Sequence, residues 1–405
     1  MRTFSPPFQN PSGSPIRELF KHLGEPGMIS LGGGYPASDL FDLRGLQTAA
    51  TRAWKQPARC LQYGPTDGLP ELKDQVARVM LQRGVTVSPE QLLITTGSQQ
   101  GFDLLLRVLV NPGDVVISEQ PAYPAALQAL KLQQARIVTV PVDAQGFDVA
   151  RLAAMLESGE AGRPKLLYTV PTFANPTGAT LPRDRRVALV DLALRYGFLI
   201  VEDDPYGELR FSGTPLPSLR ALADGMGASQ EHVVYLGSLS KIVAPGLRVG
   251  WMVGPADVIR RCVVAKQTAD LCSVPWTQAI AALYLAQGSL ADHLLWVTSI
   301  YRSKCDTLCD QLKVRLGDAV QFERPEGGLF VWARIDGADA SELLKYAIAR
   351  KVLFVPGKAF FVDHVDPSAL RLSFAAPCIA EIMEAASRLA SAFKTMSGCH
   401  RDGRI

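Results

Sequence analysis

The segment GSLSKIVAPGLRVGW, residues 237 to 251, places one lysine and one arginine among glycine, alanine and aliphatic residues. Lys241 lies close to two serine hydroxyls, Ser238 and Ser240, and seven residues before Arg248. A lysine that is desolvated beside another cation loses part of its preference for the charged form, and the neutral amine is a nucleophile toward carbonyl groups. An arginine can contact a phosphate through two parallel N–H groups. The pattern therefore predicts carbonyl chemistry at Lys241 beside a bound anion.

A second anion-binding element is predicted where the strand 91–97 runs into the helical segment SQQGFDLLLRVL. Ser98 is expected to cap that helix, whose first N–H groups and positive dipole end attract negative charge. Gln99 adds a side-chain amide at the same end. Taken alone, Ser98 is explained as a helix cap and Arg248 as half of an ion pair. Together with Gln99, Ser238 and Ser240, these two residues predict a phosphate-binding site, which we call the phosphate cup.

Three further groups follow other predicted strands. Asp203 follows the strand 198–202, Asn175 lies in the loop PTFANPTG, and Tyr123 lies in a loop after the strand 114–118. In an open α/β sheet, ligands bind outside the carboxyl ends of the strands. A carboxylate, an aromatic face, an amide, an amine and a phosphate cup together match one ligand, which is pyridoxal 5′-phosphate.

The elements that must position these groups are short apolar strands alternating with helices. They predict an α/β fold with a large domain, in which helices flank a mostly parallel sheet of about seven strands. Most of the runs are nearly continuous in apolar residues, as expected of strands buried on both faces. The predicted strands are 91–97, 114–120, 136–142, 165–170, 198–204, 232–238 and 249–254. A helix is predicted to begin near Pro182 and end at Gly197, with the basic run 183–186 as a solvated first turn.

The two ends of the chain have different patterns. The first 35 or so residues are rich in Pro, Gly and Ser and predict an extended arm with a short helix at SPIRELFKHLG. The segment 275–320 is largely helical, and the short strands near 329–335, 352–355 and 370–374 predict a smaller α+β domain. The expected division is an arm and part of the small domain at 1–45, a large cofactor-binding domain at 46–285, and a C-terminal small domain at 286–405.

Composition narrows the possible partners and location. The 405 residues are 47% hydrophobic and 20% charged with a net charge of +3, which predicts a sizeable core and argues against nucleic acid or an anionic membrane as a partner. No apolar run approaches the length of a membrane span, and no signal peptide is recognisable. The seven cysteines form no CxxC pair, and no histidine accompanies Cys305 and Cys309 at metal-ligand spacing. We therefore expect reduced thiols, no metal and a cytoplasmic protein.

One glycine motif points elsewhere and must be weighed. GGGYPA at 32–37 fits the dinucleotide-binding pattern G-x-G-x-x-A. Pro36 interrupts the helix that such a site requires, and no acidic residue ends a second strand at the expected distance. The glycines are better explained by a close approach of the backbone to another group.

The motifs TGSQQ, EQPAYP, NPTG, EDDPY, SLSK…GLRVGW and RLSF occur here in the order found in the aspartate aminotransferase superfamily (class I/II). The chain resembles these pyridoxal phosphate-dependent aminotransferases over nearly its whole length. The resemblance is greatest to the branch of α-aminoadipate and kynurenine aminotransferases. It implies transfer of an amino group from an L-amino acid to a 2-oxo acid, expected to be 2-oxoglutarate, by a ping-pong mechanism. It also implies a homodimer with shared active sites.

The resemblance further implies a role for each matching residue. Lys241 would bond covalently to the cofactor and move the substrate proton, while Asp203 would pair with the ring nitrogen and Tyr123 would stack on the ring. The expected cofactor ligands are Tyr63 from the neighbouring subunit, Ser98, Gln99, Tyr123, Asn175, Asp203, Tyr206, Ser238, Ser240, Lys241 and Arg248. The expected substrate ligands are Arg17, Gly34, Asn175 and Arg371.

Arg371 also stands out on its own pattern. In LRLSF, the period-2 alternation of a strand turns Arg371 away from Leu370 and Leu372, toward the side of Ser373. A substrate carboxylate and a structural ion pair explain such an arginine equally well. The chain departs from near relatives at Thr172 and Ala174 in PTFANPTG, at the glycine run 32–34, and at Gly207 after EDDPY. Because these departures are expected around the substrate cavity, aminoadipate, kynurenine-like, aromatic and branched-chain substrates all stay compatible with the motifs.

Three alternative functions stay open at the level of sequence. A β-lyase or a decarboxylase would use the same cofactor and the same lysine, so the motifs do not separate them from a transaminase. A ligand-sensing regulator with an aminotransferase-like domain is disfavoured by the short stretch before the first motif and by the bland charge balance. A non-catalytic binding protein is disfavoured by the presence of Lys241, Asp203 and Arg371.

Overall fold

The computed structural model describes residues 3–9, 13, 15–227 and 231–402. Its helices are α1 (Pro15–Leu19), α2 (Leu43–Ala53), α3 (Pro57–Leu61), α4 (Pro70–Gln82), α5 (Ser98–Leu109), α6 (Pro124–Leu132), α7 (Val149–Glu157), α8 (Arg183–Tyr196), α9 (Leu219–Gly225), α10 (Ala256–Ala269), α11 (Pro275–Leu285), α12 (Leu290–Leu316), α13 (Ala340–Ala349) and α14 (Ile379–Asp402). The helix predicted at SPIRELFKHLG is α1 followed by a tighter turn at Phe20–Gly24; its first residue, Ser14, lies outside the described residues.

The strands are β1 (Ile29–Ser30), β2 (Leu92–Thr95), β3 (Val115–Gln120), β4 (Arg136–Asp143), β5 (Gly146–Phe147), β6 (Pro164–Thr169), β7 (Leu199–Asp203), β8 (Val233–Ser238), β9 (Gly250–Val253), β10 (Val320–Phe322), β11 (Phe330–Ile335), β12 (Val352–Leu353), β13 (Val355–Pro356) and β14 (Ala369–Ser373). Each strand predicted in the large sheet is present within a few residues of its expected bounds. The sequence pattern missed β1, β5 and β10, which have two or three residues each and carry too little periodicity to detect.

The large sheet has eight strands in the order β2-β9-β8-β7-β6-β3-β4-β5. The pairs from β8 through β7, β6 and β3 to β4 are parallel, while β9 runs antiparallel to β8 and β2, and β5 antiparallel to β4. The α/β fold with a mostly parallel sheet is therefore confirmed, and the strand beyond the predicted seven is the two-residue β5.

Both faces of this sheet are buried, which explains the continuous apolar runs. Leu166 and Val201 belong to the hydrophobic core on one face, and their neighbours Leu167 and Ile200 belong to the core on the other face. Parallel strands with helices on both sides leave neither face to water. Their polar carboxyl ends are then the place where side chains can meet a ligand.

A second, antiparallel sheet has the strand order β10-β11-β14-β13 and lies against α12 and α13, and α14 packs on these two helices. The N-terminal arm joins this part of the molecule, because β1 pairs in parallel with β12. Arg371 lies on β14, opposite Trp332 of β11 and Val355 of β13. This sheet therefore carries the candidate substrate arginine.

Two local predictions are wrong. Ser98 does not cap α5; Gly97 occupies the cap position with a φ of 78° and an extended ψ, and Ser98 is the first helical residue. Nor is the whole run 183–186 solvated, because Arg186 turns inward and is only 1% exposed. Backbone carbonyls on the inner side of α8 accept its N–H groups, a long-range arrangement that a charge pattern does not reveal.

In the part of the chain that the structure describes, no helix combines the length and the apolar content needed to cross a bilayer.

Candidate active site

A cavity of about 340 Å³ opens at the carboxyl ends of β6, β7 and β8, between the large sheet and β14. It brings together nearly all the site residues that the sequence predicted. Those that line it are Arg17, Gly34, Ser98, Gln99, Tyr123, Asn175, Asp203, Tyr206, Ser238, Ser240, Lys241, Arg248 and Arg371. Tyr63 is the exception; it lies outside the cavity and its side chain is 77% exposed.

The predicted phosphate cup is built around the amino end of α5. Arg248 adopts a left-handed backbone conformation with a φ of 53°, and its Nη2 donates to the carbonyl oxygen of Thr96 at 3.2 Å. A Cβ added to Gly97 would lie 2.7 Å from that nitrogen, and one added to Gly250 would lie 2.5 Å from the backbone of Gly97. Glycine is therefore required at both positions, because the arginine and β9 pass directly against the start of the helix.

A polar network that the sequence did not suggest lies beside this turn. The amine of Lys266, whose side chain is fully buried, donates to Asp270 at 2.5 Å. Asp270 in turn accepts from the Gln100 amide at 2.7 Å and from the Thr96 hydroxyl at 3.3 Å. Gln100 also accepts from the backbone N–H of Thr96 at 2.8 Å. The network thus fixes the residue that precedes Gly97 and Ser98.

Lys241 lies in the middle of the cavity wall, and its amine donates to the carbonyl oxygen of Gly34 at 2.9 Å. Burial, together with the positive charges of Arg371 and Arg248, lowers the pKa of Lys241 to about 8, and the negative charge of Asp203 opposes this decrease. A lysine with this pKa supplies a sizeable neutral fraction near neutral pH, which suits it to proton transfer.

Asp203 ends β7 and is buried. One carboxylate oxygen accepts from the Tyr168 hydroxyl at 2.8 Å, and the other has no partner among the described residues. Burial raises the pKa of Asp203 to about 6, although the hydrogen bond from Tyr168 opposes that rise. Tyr168 was missed by the sequence analysis; a hydroxyl in a buried strand needs a partner, and that need was the available signal.

Arg371 is buried between two aromatic rings, with its guanidinium carbon 4.4 Å from the Phe330 centroid and 5.1 Å from the Phe360 centroid. It donates to the side-chain oxygen of Asn175 at 2.9 Å and to the carbonyl oxygen of Gly32 at 2.6 Å. Its Nε has no partner among the described residues. Burial lowers the pKa of Arg371 to about 10, and no carboxylate of the chain pairs with it in the described part. The structural ion pair considered above is therefore not what holds this arginine.

Two tyrosines complete the wall. Tyr206 lies edge-on to the Phe330 ring at 5.8 Å, and burial raises the pKa of its hydroxyl well above the ordinary value. Tyr123 immediately precedes α6, and burial also raises its pKa. Both hydroxyls therefore stay protonated at neutral pH and act as hydrogen-bond donors.

The N-terminal arm closes one side of the cavity. Arg17 and Phe20 come from the arm, and Phe20 meets the Tyr35 ring edge-on at 6.3 Å. Ile16 lies beside them in the cavity wall. The glycines of GGGYPA thus lie where Gly32 and Gly34 offer their carbonyl oxygens to Arg371 and Lys241, which is the close backbone approach expected from the sequence.

Among the residues described, no three His, Cys, Asp or Glu side chains are grouped closely enough to hold a metal ion.

With the site described, comparison with known proteins identifies the class: the chain belongs to the family Aminotransferase class I and II, which matches residues 35–389. It is 39% identical to aromatic-amino-acid aminotransferase 1 of Thermococcus litoralis over 386 residues, which cover 94% of this chain and 91% of that protein. It is 38% identical to the 2-aminoadipate transaminase of Thermus thermophilus, covering 94% of both chains. Its fold matches a kynurenine aminotransferase of Pyrococcus horikoshii, solved in complex with PMP, with a TM-score of 0.91, 37% identity and 97% of each chain covered.

The chain is thus a transaminase whose cofactor is pyridoxal 5′-phosphate. Its own residues fit that group. The partnerless oxygen of Asp203 suits a protonated ring nitrogen, and the amino end of α5 with Arg248 suits a phosphate. The partnerless Nε of Arg371 suits a carboxylate. These unpaired buried groups would be costly unless a ligand satisfied them.

Proposed function

We propose that this transaminase takes its amino group from an L-amino acid with an acidic or aromatic side chain, and that 2-oxoglutarate is the acceptor. The carrying observation is the cavity itself. Arg371 lines it with one donor left unpaired among the described residues, and Arg17, Phe20 and Tyr35 line the part of its wall formed by the arm. The similarity to an aromatic-amino-acid aminotransferase and to a 2-aminoadipate transaminase supports the same range.

In the proposed mechanism, pyridoxal phosphate supplies the carbonyl for amino-group exchange and a ring that draws electron density from the substrate α-carbon. Arg371 binds the substrate α-carboxylate and orients the α-hydrogen toward Lys241. Lys241 accepts that proton on its neutral amine and later donates it again. One side chain thus acts first as the general base and then as the general acid. The buried carboxylate of Asp203 stabilises a positive charge on the ring nitrogen of the cofactor. Asn175 and Tyr206 donate hydrogen bonds within the same wall. Tyr123 covers the ring of the cofactor. The phosphate is held by Ser98, Gln99, Ser238, Ser240 and Arg248.

The part of the cavity wall that the N-terminal arm forms suits two kinds of substrate side chain. Arg17 is an exposed cation among the residues that line the cavity, which suits the distal carboxylate of an acidic amino acid or of 2-oxoglutarate. Phe20 and Tyr35 add two aromatic rings to the same wall, which suits an aromatic side chain. The same wall therefore serves both substrate types without rebuilding the α-carboxylate site.

We also infer a homodimer in which Tyr63 reaches the phosphate of the neighbouring subunit. Tyr63 and Leu61 are among the most exposed large apolar side chains of the chain, and Leu271 and Val274 are exposed as well. The Tyr63 segment adjoins that of Val274, because a Cβ on Gly64 would lie 3.3 Å from Pro275. A surface of this kind is typical of a subunit interface.

Light scattering tests the homodimer and should give twice the mass of one chain for the wild type. The double variant Leu61→Asp, Val274→Asp should give the mass of one chain and bind the cofactor more weakly. A monomeric wild type would refute the inference.

The function is tested by mixing the purified holoenzyme with single L-amino acids and 2-oxoglutarate, and by identifying products by mass spectrometry. Formation of glutamate together with the 2-oxo acid of the donor is expected for phenylalanine, tyrosine, kynurenine and 2-aminoadipate. Release of ammonia with pyruvate would instead indicate a β-lyase, and release of carbon dioxide a decarboxylase. Absence of glutamate with every donor would overturn the proposal.

Two further proposals concern the cellular location and the domain boundaries. We propose a cytoplasmic location, supported by free thiols at each of the cysteines whose side chains are described, namely Cys60, Cys262, Cys272, Cys305, Cys309 and Cys378; the side chain of Cys399 lies outside that set. We also propose the division 1–45, 46–285 and 286–405, supported by the two separate sheets and by the pairing of β1 with β12.

A further inference from the structure

Arg186 is a buried arginine that none of the roles above uses. It lies in the first turn of α8, and its side chain is only 1% exposed. Its Nε donates to the carbonyl oxygen of Leu181 at 2.7 Å, and its Nη2 donates to the carbonyl oxygen of Pro171 at 2.8 Å. One guanidinium therefore binds both ends of the loop 171–181.

Two further hydrogen bonds complete its coordination. Nη2 also donates to the Thr172 hydroxyl at 2.8 Å, and Nη1 donates to the carbonyl oxygen of Pro217 at 3.1 Å. Glu202, which is buried next to Asp203 on β7, lies 4.0 Å away and balances the charge. A buried cation is tolerated only when it is paired and hydrogen-bonded in this way, so removal of the side chain would leave several carbonyl oxygens without donors.

The loop that Arg186 holds carries Asn175 at its centre. The loop is closed on itself by backbone bonds, from Leu181 N–H to the Pro171 carbonyl oxygen at 2.8 Å and from Ala174 N–H to the Ala179 carbonyl oxygen at 3.0 Å. Asn175 then accepts from Nη1 of Arg371 at 2.9 Å. Hydrogen bonds thus join α8 to both ends of the loop, and a further hydrogen bond joins the centre of the loop to the arginine on β14.

We propose that Arg186 is a positioning residue, which sets Asn175 through the loop 171–181 and thereby orients Arg371 for the substrate α-carboxylate. The inference rests on the proposed function of Arg371. The guanidinium is suited to the task because its planar fork directs N–H groups to several carbonyl oxygens at once, whereas a lysine ammonium on a flexible stem reaches fewer of them. A misplacement of a binding group by about 1 Å is enough to weaken substrate binding markedly.

The test compares Arg186→Lys and Thr172→Val with the matched control Arg195→Lys, which changes a 56% exposed arginine at the other end of the same helix. The readout is the dissociation constant of the unreactive carboxylate 3-phenylpropionate for the holoenzyme, followed by the absorbance of the bound cofactor. The KM for donor and acceptor, kcat, and the dissociation constant of pyridoxal phosphate are measured alongside.

We expect Arg186→Lys to raise the dissociation constant of 3-phenylpropionate and both KM values about tenfold, with kcat reduced about threefold or less. Thr172→Val should raise the same constants about threefold, and Arg195→Lys should leave them unchanged. A lower melting temperature with unchanged 3-phenylpropionate binding would show a merely structural role and overturn the inference. If Arg186→Lys does not fold, Thr172→Val decides, because it removes one hydrogen bond and keeps the charge; unchanged binding in that variant would equally overturn the inference. Failure of the proposed function is distinct, since it would appear as a lack of turnover in the wild type while carboxylate binding could still be measured.

Discussion

The amine of Lys241 lies 2.9 Å from the carbonyl oxygen of Gly34, a residue 207 positions earlier in the chain. The hydrogen bond joins the end of the N-terminal arm to the turn after β8. Because Gly34 and Lys241 line the same cavity, the arm closes that cavity beside the lysine that we propose as the proton carrier. The position of the arm and the reactivity of the lysine are therefore linked by one contact.

Replacement of Lys241 by alanine removes the proposed covalent ligand and proton carrier. We expect Lys241→Ala to lower kcat by at least about 10³-fold, since both covalent catalysis and general acid–base catalysis are lost. The phosphate cup is unaltered, so the variant should still bind pyridoxal phosphate. Turnover is measured by glutamate formation, with Lys345→Ala, a change at a surface ion pair, as the control. Wild-type rates in Lys241→Ala would contradict the assignment.

Replacement of Asp203 by asparagine removes the negative charge proposed to face the ring nitrogen. We expect kcat to fall by roughly 10²- to 10³-fold, because electrostatic stabilisation in a buried site is lost while the shape is kept. Single-turnover absorbance changes measure the chemical step directly. Asp203→Glu keeps the charge and serves as the comparison; equal rates for the asparagine variant and the wild type would show that the carboxylate is not used.

Replacement of Asp270 by asparagine tests the network beside the phosphate cup. The amine of Lys266 would lose its charged partner, and the turn at Thr96 would lose part of its support. We expect the dissociation constant of pyridoxal phosphate to rise about five- to tenfold, which is less than the full value of a charge-assisted hydrogen bond, because the network supports the turn without lining the cavity. Cofactor binding to the apoenzyme is titrated by fluorescence. Asp257→Asn, which breaks an exposed ion pair on α10, should bind as the wild type does, and an identical result for Asp270→Asn would refute the role.

Glu119 predicts a dependence of stability on pH. Its side chain is 3% exposed and one carboxylate oxygen has no partner among the described residues, so burial raises its pKa from 4.5 to about 7. The folded state then binds more protons than the unfolded state between these values, and stability is lost as the pH rises through that window. Glu119→Gln removes the titrating carboxyl group and with it this dependence of stability on pH.

We expect the free energy of unfolding of Glu119→Gln, relative to the wild type, to increase between pH 4.5 and pH 8 by an amount on the order of 3 kcal/mol. Denaturant titrations of both holoenzymes at several pH values measure it. Parallel pH profiles for the two proteins would show that Glu119 keeps an ordinary pKa.

Much of the fold follows from local sequence, because a strand buried on both faces needs a continuous apolar run whatever its partners are. The runs around Leu167 and Val234 therefore located β6 and β8 closely. The residues of the cavity could be collected from the loops after these strands, since parallel strands bring their carboxyl ends to one edge.

What the sequence did not reveal depends on contacts between distant segments. Arg186 has the same local context as its solvated neighbours, and only the packing of α8 against the loop 171–181 buries it. Gly97 takes the cap position from Ser98 because Arg248 and Gly250 crowd the start of α5. Tyr168 bonds Asp203 across 35 positions, and Asp270 bonds Thr96 and Gln100 across 170 or more, distances at which no periodicity carries a signal.

The placement of the site along the chain has a consequence for biosynthesis. The residues of the predicted phosphate cup, Asp203 and Lys241 all come from the segment between Gly97 and Arg248, whereas Arg371 lies on β14, which is synthesised after that segment. The residues proposed to hold the vitamin-derived cofactor are therefore synthesised before the arginine proposed to bind the substrate. The two binding functions thus depend on parts of the chain that leave the ribosome at different times.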